Sequence, residues 1–129
     1  MAWLSKYEPQ LLSVLRIITG LLFLEHGTQK LLHFPPMTVA IPPSFMPVIM
    51  TAAAIELVGG VLITLGLFTR ITAFICSGEM AFAYFLGHAP RGFFPAVNLG
   101  DAAILFCFIF LFIAAAGPGP WAISRSAKL

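Results

Sequence analysis

The sequence predicts an all-α membrane protein, an antiparallel bundle of four transmembrane helices with both termini in the cytoplasm. Three observations carry that prediction. The 129 residues are 60% hydrophobic and only 9% charged, with a mean hydropathy of +0.99, whereas a soluble domain carries about 25% charged residues. Four apolar stretches each approach the roughly 20 residues needed to cross a bilayer. Proline clusters separate them. The same composition excludes a disordered chain, which requires low hydrophobicity. A net charge of +2 leaves no basic footprint for nucleic acid.

The expected helices cover residues 11–33, 45–67, 71–88 and 98–116, within a single membrane domain spanning 1–129. Pro9 precedes the first. Pro35, Pro36, Pro42 and Pro43 fill the first loop, Pro90 and Pro95 bracket the third, and Gly117-Pro118-Gly119-Pro120 stops the fourth helix. Proline cannot donate to a helix ladder, so these are stop signals. The second connection, Phe68-Thr69-Arg70, is so short that the second and third helices must be antiparallel neighbours. The first helix is interrupted by Glu25, His26 and Lys30 and is too long for a signal-peptide core, so it is expected to remain in the mature protein. Lys6, Arg70, Arg125 and Lys128 fall on one side of this topology, against Lys30 and Arg91 on the other. That excess places both termini in the cytoplasm.

Each expected helix carries one acid: Glu25, Glu56, Glu79 and Asp101. A charge at the centre of a membrane helix costs about 2.5–3.5 kcal/mol on insertion scales. The acids must therefore face one another, a cation or a wet cavity. At 1.5 Å per residue, Glu25, Glu79 and Glu56 lie roughly 12, 14 and 17 Å below the outer helix ends, and Asp101 about 5 Å. Like charges this close cannot all ionise. His26, Lys30, His33 and His88 share the outer half. On the first helix His26, Lys30 and His33 form one stripe, with Glu25 and Gln29 on the next. Arg16, nine residues before Glu25, points the other way and must meet protein or reach the cytoplasmic headgroups.

Gly20 and Gly27 share a helix face with Arg16, and Gly59 and Gly60 lie one turn from Glu56. Small residues let helix backbones approach closely, so Glu56 is expected at a close crossing. Cys76 and Cys107 fall inside spans and read as small buried apolar residues. Paired Glu-x-x-His motifs of the kind that hold di-iron sites are missing, so no metal is expected. The apolar, uncharged loop at 34–44 and the aromatic loop at 88–95 suit the membrane interface.

The order of these motifs resembles the DoxX family of small four-span membrane proteins. The resemblance covers about residues 15–124. It rests on Arg16-x3-Gly20, Phe23-Leu24-Glu25-His26-Gly27-Thr28-Gln29-Lys30-Leu31 and Phe34-Pro35. Further along come Glu56-Leu57-Val58-Gly59-Gly60, Gly66-Leu67-Phe68-Thr69-Arg70, the stretch from Met80 to His88, Asn98-Leu99-Gly100-Asp101 and Gly117-Pro118-Gly119. Asp101 stands where the family often has glutamate, and Arg125 where an acid is common. The resemblance implies a bacterial inner-membrane protein linked to quinone and thiol redox physiology. On that basis Glu25, His26, Glu56, Glu79 and Asp101 are the candidate catalytic residues. Lys30, Tyr84 and His88 are candidates for holding a quinone head group.

Three functions fit this reading. The first is a quinone-linked redox subunit, the second a small proton-coupled transporter completed by homo-oligomerisation. The third is a scaffold for soluble redox enzymes. Carboxyl and imidazole groups in an apolar pocket favour the first. No haem, flavin or cysteine-cluster motif supplies an electron carrier.

Overall fold

The computed structural model describes residues 1–124; Arg125 and Lys128, which entered the charge count above, lie outside the described residues. Six α-helices account for most of the chain: α1 (Ala2–Ser5), α2 (Glu8–Leu32), α3 (Met46–Leu65), α4 (Thr69–Ala83), α5 (Pro95–Asn98) and α6 (Asp101–Ala116). A 3-10 turn, Pro43–Phe45, leads into α3, and a π-helical turn, Tyr84–His88, extends α4. No strand occurs among the described residues. The segments Glu8–Leu32 and Pro43–Leu65 are long and apolar enough to cross a membrane.

The helix limits differ from the sequence reading in ways that local chemistry explains. Pro9 lies within the first turn of α2 rather than before it, because the first helical turn needs no proline N–H. The chain also forms α1 and α5, short helices that no long periodic pattern announces. The α4 backbone widens into a π-helix before Pro90, a feature frequent at functional sites.

Helices α2 and α3 pack along most of their lengths, as do α4 and α6; α3 and α4 meet across their short connection. The α2–α3 contact is backbone-close. A Cβ on Gly60 would meet the Leu24 Cα at 2.7 Å, and one on Gly27 would meet the Leu57 N at 2.6 Å. Glu56 sits one turn from Gly60 at this crossing and is 1% exposed. An aromatic trio ties α2 to α6: the Phe23 and Phe110 rings meet edge-on at 4.8 Å, with Phe106 5.9 Å from each.

The polarity of the bundle is inverted relative to a water-soluble one. Ser13, Arg16, Thr19, Glu56, Thr69, Thr72, Ser77 and Asn98 are buried, while Phe74, Phe82, Phe108 and many aliphatic side chains lie exposed on the helix flanks. Buried polar groups need partners, and the helix ends show where many of them are found. α3 finishes at Gly66, whose φ of 73° a glycine adopts without a Cβ penalty. The Leu67 N–H then donates to the Leu62 carbonyl at 2.9 Å and the Gly66 N–H to Ile63 at 3.1 Å, a Schellman ending. Fully buried Arg16 donates through Nη1 to the Ile63 and Thr64 carbonyls at 2.5 and 2.7 Å. Its Nε and Nη2 reach the Pro118 and Trp121 carbonyls at 2.7 and 2.5 Å. The returning tail donates its own Ile123 and Ser124 N–H groups to the Leu65 and Gly66 carbonyls at 3.1 and 3.3 Å.

Arg70 closes α6 the same way. Its Nη1 donates to the Ala114 and Ala115 carbonyls at 2.8 and 2.5 Å, and its Nη2 to Ala116 at 3.4 Å. Two arginines thus satisfy helix-terminal carbonyls at one end of the bundle. Lysine, with three donors on a point charge, cannot copy the planar five-donor fork.

Two outcomes test this packing. Arg16→Leu leaves buried carbonyls unpaired and is expected to lose about 3 kcal/mol, with Arg16→Lys also destabilised, in denaturant unfolding of the micelle-solubilised protein. Gly60→Leu forces α2 and α3 apart and is expected to lose on the order of 3 kcal/mol in the same assay.

Candidate functional site

Lys30 leaves α2 two residues before its end and reaches into the bundle, where its ammonium pairs with Glu56 Oε1 on α3. It is the only ion pair among the described residues. The Lys30 side chain is 20% exposed and that of Glu56 only 2%, so the pair joins an accessible cation to a shielded anion. The second oxygen, Glu56 Oε2, is buried without a hydrogen-bond partner, and so is Glu79 Oε2 on α4. Two adjacent helices therefore each hold an acid with an unused acceptor, beside one ammonium.

These groups lie beside a cleft. A groove of about 800 Å³ runs between α3 and α4 and is lined by Lys30, Glu79, His88 and Arg91 among mainly apolar side chains. Ile55 and Ile75 form its walls and Phe45 and Phe82 add aromatic surface. Gly78 keeps it open: a Cβ there would meet nothing within 4 Å, and the same holds at Gly87. His88 is two and a half helical turns from Glu79, roughly 13 Å along the axis. The groove thus has polar groups spaced along an apolar trough. A second cleft of about 940 Å³ lies between α1, α2 and α6, where Glu8 is the sole charged lining residue.

The π-helical turn is held by a polar junction. Asn98 is fully buried; its Nδ2 donates to the Gly92 carbonyl at 2.9 Å and to Tyr84 Oη at 3.3 Å, and its Oδ1 accepts from the Gly100 N–H at 2.8 Å. His88 Nδ1 lies 3.1 Å from the Asn98 carbonyl, and its ring stacks on Tyr84. A Cβ on Gly100 would clash with Tyr84 at 2.6 Å. Asn98 therefore fixes how α4 ends and where His88 enters the groove.

Of the residues singled out in the sequence, Lys30, Glu56 and Glu79 come together, with His88 on the same groove. Tyr84 supports His88 and bonds Asn98 instead of lining the groove. Glu25 is exposed on α2, away from this groove, and His26 is exposed with its ring edge-on to Phe106. Asp101 is exposed in the first turn of α6, where a negative charge complements the helix dipole. Among the described residues no group of three His, Cys, Asp or Glu side chains is placed to hold a metal ion. Sequence reasoning missed Arg91 as a lining residue and Asn98 as the junction; an amide just before the Gly100-Asp101 helix start was the available signal.

The ion pair has a measurable consequence. Removing Lys30 strands a buried carboxylate, which is worse than removing both charges. Lys30→Met is expected to destabilise the protein more than the double change Lys30→Met/Glu56→Gln. The coupling should be about 1–3 kcal/mol in a double-mutant cycle of unfolding midpoints.

Comparison with known proteins assigns the chain a lineage. The DoxX family profile matches residues 11–89. An uncharacterized protein of Haemophilus influenzae is 45% identical over 126 residues, covering 95% of this chain and 94% of that relative. A Bacillus subtilis protein named "Putative oxidoreductase CatD" is 46% identical over 65 residues, 45% of each chain. No solved structure gives a significant match. The matched residues include most of α2, all of α3 and α4, and the ion pair between α2 and α3, and on this evidence the chain belongs to the DoxX family.

Proposed function

We propose that this chain is a four-span protein of the bacterial inner membrane that serves redox chemistry by binding a quinone-type head group in the α3–α4 groove. The observation that carries the reading is the groove itself. An apolar trough carries an ammonium, Lys30, and a carboxyl with an unused oxygen, Glu79. A ring with two polar oxygens and an apolar tail matches that distribution of surfaces. The name of the Bacillus subtilis relative, an oxidoreductase, supports a redox role.

The four-span topology draws on several features. α4 and its π-helical turn together run from Thr69 to His88, and α6 is apolar throughout after Asp101. Trp3, Tyr7 and Trp121 are exposed at the end that carries Lys6 and Arg70. Aromatic and cationic residues of that kind belong at an interface, and the cations favour the cytoplasmic side.

Within the groove each residue has a separate task. Lys30 donates hydrogen bonds to a carbonyl oxygen of the ring, while Glu56 holds the ammonium in position. Glu79 holds or receives a proton at Oε2, and His88 occupies the route toward the groove mouth. A quinone supplies the two-electron, two-proton couple when bound. In this reading the electrons come from or go to a separate soluble redox enzyme. The apolar walls and exposed Phe82 offer a lipid-side entrance.

The test is thermal stability of the detergent-solubilised protein with ubiquinone and menaquinone analogues. A ligand at one hundred times its dissociation constant stabilises by about 2.7 kcal/mol, so the unfolding midpoint should rise saturably. Gly78→Leu, whose Cβ meets nothing within 4 Å, places its side chain in the groove and should keep the fold and abolish the rise. Glu79→Gln should weaken it. No rise in the wild type overturns the quinone assignment.

A further inference from the structure

Glu25 and His26 lie outside the groove, on the open face of α2. Both are exposed. Among the described residues the Glu25 carboxyl makes no hydrogen bond; beyond the helix ladder, only its backbone carbonyl is engaged, accepting from Thr28 Oγ1 at 3.0 Å. Glu25 stands seven residues before the end of α2, roughly 10 Å along the helix axis. In a helix that crosses a bilayer this is hydrocarbon depth, where an unpartnered carboxyl is strongly disfavoured. The inference therefore rests on α2 being a span.

The side chains below Glu25 form a continuous exposed stripe. Leu11, Leu15, Ile18 and Leu22 are 46%, 37%, 51% and 48% exposed. With Glu25 they are spaced four, three, four and three residues apart. That alternation is the heptad seam of two helices packed at a shallow left-handed angle. His26 follows Glu25 directly and flanks the seam. The face thus presents an acceptor and a donor side by side. A carboxylate accepts, and an imidazole N–H donates.

We propose that α2 pairs in parallel with α2 of a second copy of this chain, with Glu25 of each copy bonded to the imidazole at position 26 of the other. The commitment to a second copy follows from geometry and charge. Two copies of like orientation are related by a two-fold axis along the bilayer normal, so equivalent residues lie at equal depth. Adjacent residues differ in height by only about 1.5 Å. A face bearing acid and imidazole at neighbouring positions is complementary to itself under that axis, and both carboxyls are paired at once. The rest of the seam adds ordinary side-chain packing, which by itself gives little preference over lipid. The polar pair is what selects the partner.

Förster transfer between differently labelled full-length chains in liposomes tests this. Wild-type transfer should exceed random proximity and saturate as the protein-to-lipid ratio rises. Glu25→Leu, which suits a lipid-facing position, should weaken association at least fivefold and leave the unfolding midpoint unchanged or higher. Oxidative cross-linking locates the seam: Leu22→Cys should form a dimer readily, and Phe74→Cys, at a more exposed position on α4, should not. Protection of Leu22→Cys from an aqueous thiol reagent in the Glu25→Leu background, where pairing is weakened, checks the span on its own, so failure of that premise is seen separately. A monomeric wild type overturns the proposal and assigns Glu25 to a lipid or an unrelated protein. Association that ignores Glu25→Leu, or cross-linking at Phe74→Cys alone, overturns it as well.

Discussion

The two guanidinium groups that close helix ends are the constraint on which the rest of the architecture depends. Every helix finishes with carbonyls that have no partner inside the helix. In α3 and α6 those carbonyls sit at one end of an apolar bundle, where partners must come from the chain. Arg16 takes two from α3 and two from the returning tail. Arg70 takes three from α6. Arg16, in the first half of α2, and Arg70, at the start of α4, each reach the finish of another helix, so they set the register between neighbours as well as satisfying acceptors.

That register is transmitted to the opposite half through rigid contacts. With α2 and α3 in backbone contact at Gly27 and Gly60, there is little freedom to slide. Lys30 is then brought to Glu56, and Glu79 to the adjacent wall of the groove. The ion pair has an uneven character: one member is accessible and the other shielded. A buried pair of this kind contributes little net stability compared with apolar packing. Its retention at the edge of an open trough fits a role in binding better than one in holding the helices together. The unused oxygens of Glu56 and Glu79 point the same way, since unpaired buried acceptors are disfavoured unless something else meets them.

The two polar faces of α2 have separate uses. Lys30 turns toward α3, and Glu25 with His26 turns outward. The proposed pairing of copies would leave the α3–α4 groove open, because the heptad seam lies on a different helix from the groove walls. Binding in the groove and pairing along α2 would then be independent, coupled only through the stiffness of α2.

Several of these features were legible in the residues alone. Low charge and apolar runs broken by prolines marked the helices, and Glu56 beside Gly59 and Gly60 marked a close crossing. Arg16 was readable as pointing away from Glu25, because helical spacing fixes direction. Partners were beyond reach. Depth counting grouped Glu25 with Glu56 and Glu79, since rise per residue gives height but not azimuth; the structure turns Glu25 out and the other two in. Arg70 counted as a topology signal, yet its partners are carbonyls some 44 to 46 residues away. Asn98 was legible only as a turn-forming amide before a helix start; that it organises the π-helical turn was not, because its partners converge only when the chain folds back. The sequence by itself determined that the chain would form apolar helices with acids among them, because hydropathy and proline chemistry act locally. Which acid meets a cation, which meets an open groove and which faces outward was decided only by the tertiary structure, because helix rotation is set by backbone-close glycine contacts and by arginines spanning distant segments.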